Sequence, residues 1–306
     1  MSATALRRGP DVLLGFAAER PSAAFAAAVL GTIAVAALLA PLIAPQDPFD
    51  LTSFDLLDAA LPPAWIEGSD TRFLLGTDAQ GRDLLSAILY GTRISLIVGV
   101  LAVAIQAAIG IPLGLLAAYR GGTVDTLVTR AADIQLSLST LMTAIIALAL
   151  FRAGFGGESL SHHAVLLLVV VIGLAEWPYF ARTARAATQV EAVKDYVRAA
   201  RALGATGPGI VSRHILPNIL SPLIVLATTQ VAGAIMAEAA LSFLGLGMPV
   251  TKPSLGTLIR SGYDLMFAGT WWVTVLPGLV LIAVLISVNV LGDALRDLLD
   301  PRRSGR

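Results

Sequence analysis

Cysteine is absent from the 306 residues, so neither a disulfide nor a thiolate metal site can form. Charge is scarce too. Only 14% of residues are charged and 56% are hydrophobic, whereas about a quarter of a soluble domain is charged. Lysine occurs twice, as Lys194 after Val193 and Lys252 after Thr251. No Gly-Lys pair therefore exists to open a phosphate-cradling P-loop, and ATP hydrolysis is expected on another polypeptide. Neither a Gly-x-Ser-x-Gly elbow nor a His-Glu-x-x-His pair occurs. His162 and His163 are adjacent, so on a helix they point apart and chelate poorly. The formal net charge is zero, which gives no reason to expect nucleic acid as a partner.

What the chain has is long apolar runs. A helix needs about 20 mainly apolar residues to cross a bilayer. Six stretches qualify: Ala23–Ile43, Ile94–Tyr119, Leu127–Leu150, Ala164–Phe180, Ile219–Leu241 and Trp272–Leu291. The first is too long for a signal-peptide core and leads into further spans, so it reads as an anchor. The expected fold class is all-α, a polytopic membrane protein with six transmembrane helices. Residues 1–22 form an N-terminal segment and 23–44 the first span. Residues 45–93 form an extracytoplasmic loop, 94–293 the transmembrane core and 294–306 a tail. With the N-terminus inside, 15 of the 21 Lys and Arg residues fall on cytoplasmic segments and 6 outside. The positive-inside rule then places both termini in the cytoplasm. Gly110 and Gly114 make a small-xxx-small pair for close helix packing. The acidic loop 45–93 reads as a cap over the outer mouth or as a solvated loop.

The loop 181–218 is long for a connection between spans, which points to function. It contains DYVRAARALGATGPGIVSRHILPN. Asp195 reads as an N-cap and Gly204 as a C-cap, bounding a helix of little more than two turns. Tyr196, Ala199, Ala200 and Leu203 share a face, with Arg198 and Arg201 off it. So short a helix is marginal alone. Its small apolar face, rimmed by Arg, suits a groove on a partner; packing back on its own bundle is the alternative. Thr206-Gly207-Pro208 reads as a helix restart, and Pro217 as a break before the fifth span.

This loop resembles the EAA loop of bacterial ABC importer membrane subunits, with its Ala pair, Gly and closing Leu-Pro. LLGTDAQGRDLLSAILYGTRISL (Leu74–Leu96) is similar to the outer-loop signature of the dipeptide/oligopeptide (nickel) permease family. AEAALSFLGLG (Ala237–Gly247), Pro253-Ser254-Leu255-Gly256 and NVLGDALRDLLDPR (Asn289–Arg302) are similar to other stretches of that family. The Gly-Thr-Asp…Gly-Arg-Asp and Gly-Asp…Leu-Arg-Asp…Leu-Asp-Pro strings resemble its C-type subunit.

The resemblance implies a type I ABC importer transmembrane fold and a pore-forming permease subunit that takes up di- or oligopeptides. It implies a B-type permease subunit, one or two ATPase subunits and an extracytoplasmic solute-binding protein as partners, with membrane lipid around the chain. It implies location in the bacterial inner membrane. This chain is then not an enzyme and binds no cofactor, ATP and Mg being held by the partner. It assigns ATPase coupling to Asp195, Tyr196, Arg198, Ala199, Ala200, Arg201, Leu203 and Gly204. Arg198 stands where the family has Glu, His214 precedes Ile-Leu-Pro, Ser139 replaces a frequent Pro and Leu255 a frequent Trp.

Acidic residues in spans are costly and often functional. Glu238, with Ser242, near the outer end of the fifth span, and Glu176, near the inner end of the fourth, are candidate pathway-lining residues. For Glu238 the alternative is interfacial solvation. Trp177 and Tyr179 read as interface anchors. Nickel chelates or another small solute are alternative cargoes. An ion-driven secondary transporter is a further reading, opposed by the few mid-span charges.

Overall fold

A computed structural model describes residues 20–50, 55–155 and 157–299. Arg7, Arg8, Arg302, Arg303, Arg306 and the side chain of His162 lie outside the described residues. Among the described residues no strand occurs and the elements are helical, as expected where each segment must satisfy its own backbone in hydrocarbon. Helix α1 is Pro21–Leu38, with Pro at its first turn, and α2 (Ala40–Ile43) continues it after a break before Pro41. Helix α3 is Leu84–Arg120, α4 Gly122–Ser137, α5 Thr140–Phe155 and α6 Gly157–Ala192. Helix α7 is Asp195–Ala202 and α8 Gly207–Ile210, and a π-helical turn Val211–Ile215 leads into α9, Leu216–Phe243. Helices α10 (Leu255–Met266) and α11 (Trp272–Leu299) close the fold.

Five of the described helices are long and apolar enough to cross a membrane, and six spans result if α4 and α5 count as one. The expected single span Leu127–Leu150 is in fact this pair, bent by 87°. Ser137 donates to the Ile134 carbonyl and Leu138 is extended, so the side chain competes with the helical ladder at the break. Helix α4 also carries charges that a uniform span would not. Arg185 binds Asp125, and Arg182 binds Asp133, tying α4 to the end of α6. Three other spans are longer than the sequence indicates: α3 starts at Leu84, α6 runs past Phe180 to Ala192, and α11 runs past Leu291 to Leu299. Pro217 does not break the chain. The π turn before it merges α8 and α9 into one helix over Gly207–Phe243, because Pro in the first turn of α9 needs no N–H partner there.

Helices α3 and α6 make the closest pairing in the bundle. A Cβ on Gly110 would lie 2.4 Å from the Trp177 carbonyl oxygen, and one on Gly114 would lie 2.3 Å from that of Ala181. The small-xxx-small pair thus lets two backbones touch, as the sequence indicates. One apolar cluster, including Val98, Ala102, Leu168, Ile172 and Phe180, fills the α3–α6–α9 interior. A second, around Leu84, Ile235, Leu255 and Trp272, packs α3, α9, α10 and α11.

The acidic loop before α3 is neither merely solvated nor loose. Arg82 and Asp78 are 2% and 0% exposed and form an ion pair at 2.6 Å, and Arg82 Nη1 donates to the Val250 carbonyl at 2.9 Å. Asp83 caps α3 by accepting from Ser86 N at 2.8 Å. Gly81 is left-handed (φ +81°), and a Cβ there would meet the Asp55 carbonyl at 2.1 Å. The Gly-Thr-Asp…Gly-Arg-Asp string is therefore a folded clasp between the loop and the turn after α9. Charge patterning alone could not reveal that these acids are buried.

Candidate functional site

Two places in the fold gather the chemistry: the short helix α7 and a polar cluster inside the bundle. Helix α7 starts at Asp195, but Asp195 is not its cap. Lys194 occupies that position in extended backbone, and its carbonyl accepts from Val197 N and Arg198 N. The Asp195 side chain is fully exposed, 3.7 Å from Arg198. Its carboxylate still lies at the positive end of the helix dipole. At the other end Gly204 has φ +83°. Gly204 N donates to the Arg201 carbonyl and Ala205 N to that of Ala200, the two bonds of a Schellman motif. The expected helix-terminating conformation of Gly204 is present, and nothing lies within 4 Å of where a Cβ would stand.

The expected apolar face is corrected. Val197 is fully buried and Ala200 is 8% exposed, so these two seat α7 on its own bundle, Val197 joining the main apolar cluster. Ala199, Arg198, Arg201 and Ala202 point outward, as does Leu203, which is 88% exposed. On a two-turn helix with three Ala among its eight residues, two stripes are similarly apolar, and Val197 decides between them only through the space it fills in the bundle.

Tyr196 belongs to neither stripe. Its hydroxyl donates to Glu191, and Asn218 Nδ2 donates to Tyr196 at 3.3 Å and to the His214 carbonyl at 2.6 Å. Lys194 Nζ donates to Glu191 at 2.5 Å. Burial and the Glu191 carboxylate push the Tyr196 hydroxyl up to about 12, so it remains a donor at neutral pH. Glu191 at the end of α6 and Asn218 at the start of α9 thereby clamp α7 to two long helices. Sequence reasoning missed both; Glu191 lies in the last turn of α6, and its partners Lys194 and Tyr196 follow three and five residues later.

Within the bundle, Glu238 and Ser242 are both fully buried. Ser95 from α3 and Ser242 donate to the two Glu238 oxygens at 2.7 Å each. Ser242 also accepts from Met248 N at 3.0 Å. This cluster joins α3, α9 and the following turn. In this structure the cluster is enclosed, so neither Glu238 nor Ser242 is presented to solvent. Glu176 lies near the middle of the span Ala164–Ala192, not at an inner end, since α6 is longer than the apolar run suggests. Its carboxylate accepts from Gln106 of α3 at 3.4 Å and Gln230 of α9 at 3.2 Å, and Gln230 also donates to Gln106 at 3.1 Å. Gln106 is buried, while Glu176 and Gln230 are half-buried. A cavity of about 730 Å³ runs along α6 and α9 toward α7, lined by Thr183, Glu191, Asn218, Ser221, Thr229 and Arg296 among others.

Residues 110–305 match the family described as binding-protein-dependent transport system inner membrane component. The chain belongs to this family. It is 40% identical to the dipeptide transport system permease protein DppC of Haemophilus influenzae over 270 residues, 88% of this chain and 87% of that protein. It is 40% identical to the di/tripeptide permease DppC of Pseudomonas aeruginosa (strain UCBPP-PA14), over 88% of this chain and 84% of the relative. For DppC of Escherichia coli (strain K12) the figures are 41%, 87% and 84%. A chain from an inward-facing structure of the MetNI methionine ABC transporter superposes with a TM-score of 0.56, at 21% identity, over 70% of this chain and 96% of that one. That likeness carries the fold alone. The all-α fold of type I ABC importer membrane subunits and the transport role, with solute-binding and ATPase partners, agree with what the motifs imply. The family is one of inner-membrane permeases, and α7 with its clamp falls inside the matched region.

Proposed function

We propose that this chain is the C-type half of a heterodimeric pore that carries di- or oligopeptides through the inner membrane. Its expected counterpart is a B-type permease subunit, with peptide delivered by an extracytoplasmic binding protein and ATP turned over on docked ATPase subunits. The peptide cargo is supported by the names of the DppC relatives at about two-fifths identity. The coupling role rests on one observation: α7 is clamped from behind by Glu191 and Asn218 while its front, with Leu203, Ala199 and Arg198, is bare. A helix fixed on one side and uncovered on the other suits insertion into a partner groove.

Coupling is then mechanical. Movement of α7 passes through Tyr196 to the ends of α6 and α9, the helices that line the cavity, and shifts them as rigid groups. On this reading both termini lie in the cytoplasm with α7. The Arg20–Asp297 ion pair at 2.7 Å brings the two ends of the described chain together, which supports their lying on one side of the membrane.

Leu203→Asp tests the coupling role. It removes an exposed side chain and leaves Val197 and Ala200 seated. The expected result is a permease present at normal level, with both termini accessible from the cytoplasm, that no longer co-purifies with its ATPase or supports trialanine uptake. Normal uptake with normal ATPase occupancy would remove α7 from the coupling pathway.

A further inference from the structure

Glu176 is a carboxylate near the middle of a membrane-spanning helix, and it takes part in none of the ion pairs formed among the described residues. The Gln106 and Gln230 amides donate to it, the Thr140 side chain hydrogen-bonds to it as well, and together they fix its position. They supply dipoles but no compensating charge, and a charge held in that state inside a bilayer is a functional expense. The cluster also sits beside a route. The cavity lining includes Thr229, next to Gln230, and Leu226, one turn below it on the same face of α9. On α6 it includes Thr183, two turns from Glu176 on the same face. The cavity's 730 Å³ lies within the range of about 300–1,000 Å³ typical of small-ligand sites. Its walls are largely apolar, with hydroxyl and amide groups from Thr183, Ser221, Thr229 and Asn218 and the charged Glu191 and Arg296 among them, a mixture suited to a peptide.

We infer that the Gln106–Glu176–Gln230 cluster is a mid-membrane subsite that receives the α-ammonium group of a peptide moving along the α6–α9 cavity. The inference rests on the peptide-importer reading above. The ammonium supplies the missing positive charge, and its three N–H donors match a carboxylate already oriented by two amides. Glu238, whose oxygens are taken by buried serines, offers no such place.

The chain has no cysteine, so Thr229→Cys places a single thiol of this chain beside the cluster. The complete transporter carrying Thr229→Cys, in lipid nanodiscs, is labelled with a hydrophilic maleimide. Millimolar trialanine is expected to slow labelling several-fold, N-acetyl-trialanine to leave it unchanged, and Glu176→Gln to abolish the protection. The affinity loss expected in Glu176→Gln is about tenfold or more, as for one charge-assisted hydrogen bond. Equal protection by both peptides, protection that survives Glu176→Gln, or protection by sodium ions alone would overturn the subsite. So would the absence of protection in a transporter that takes up trialanine. A transporter that takes up no peptide would instead overturn the peptide reading itself. The two peptides are compared on unsubstituted Glu176, so the result does not depend on how Glu176→Gln folds.

Discussion

Glu238 and Glu176 are both carboxylates inside membrane-spanning helices, and the protein holds them in opposite ways. Glu238 is fully buried, with serines from two helices donating to both of its oxygens. Glu176 is half-buried, held by two glutamines and Thr140, near a cavity that Thr229 and Thr183 line. One is a strut and the other a presented group. The difference lies in the neighbours: small residues with hydroxyls close tightly around a carboxylate, whereas long amides hold it at arm's length and leave room. Burial, rather than residue type or depth, separates structure from function here. The same contrast recurs at α7, where Val197 is built in and Leu203 is presented.

The comparison breaks most sharply on stability. Glu238→Ala should remove the acceptor for two buried hydroxyls and leave a void, costing about 3 kcal/mol or more. Glu176→Ala should cost about 1 kcal/mol or less, because Gln106 and Gln230 still bond each other. Melting of the purified transporter checks both, and equal losses would erase the distinction. A somewhat smaller effect comes from the contact that brings Gln106 to Glu176. Gly110→Val drives a side chain into the Trp177 carbonyl and should cost about 2 kcal/mol. Gly233→Ala, with nothing within 4 Å of the added carbon, should be neutral or slightly stabilising. Thermal unfolding of the pair would show whether the α3–α6 approach, rather than glycine content, holds the cluster together. The smallest effect tests how α7 is terminated. Gly204→Val should cost about 1–2 kcal/mol at a left-handed position and Gly204→Asn much less. Hydrogen exchange of the Ala205 amide, which is bonded to Ala200, would report it.

Much of this architecture is legible from the apolar runs. They locate the spans, and the loop motif locates α7, because burial in lipid demands long apolar helices whatever surrounds them. Boundaries fare worse. The α4–α5 bend escapes notice because the pair is jointly apolar enough, and Arg130 and Asp133 look tolerable at the end of a span. The α6 extension escapes because Arg182 and Arg185 end the apolar run, yet the helix continues while they pair with Asp133 and Asp125 on α4. Of the candidate site, Glu176 and the outward residues of α7 were readable. Gln106, Gln230, Glu191 and Asn218 were not: the amides acquire meaning only from partners far along the chain, and Glu191 only once α7 folds back on the end of α6.

By itself, the sequence determined that this chain is an all-helical membrane protein of the importer permease family without a P-loop of its own. Those properties follow from composition, run length and local motifs, which act over a few turns of chain. Only the tertiary structure decided which carboxylate is enclosed and which is half-buried, which face of α7 is free, and that the clasp at Asp78 and Arg82 is buried. Those outcomes depend on contacts between residues as far apart as Ser95 and Glu238, or Gln106 and Gln230. In a bundle where several helix faces are equally apolar, the choice of face is made by which helices can approach closely, at Gly110 and Gly114 against α6.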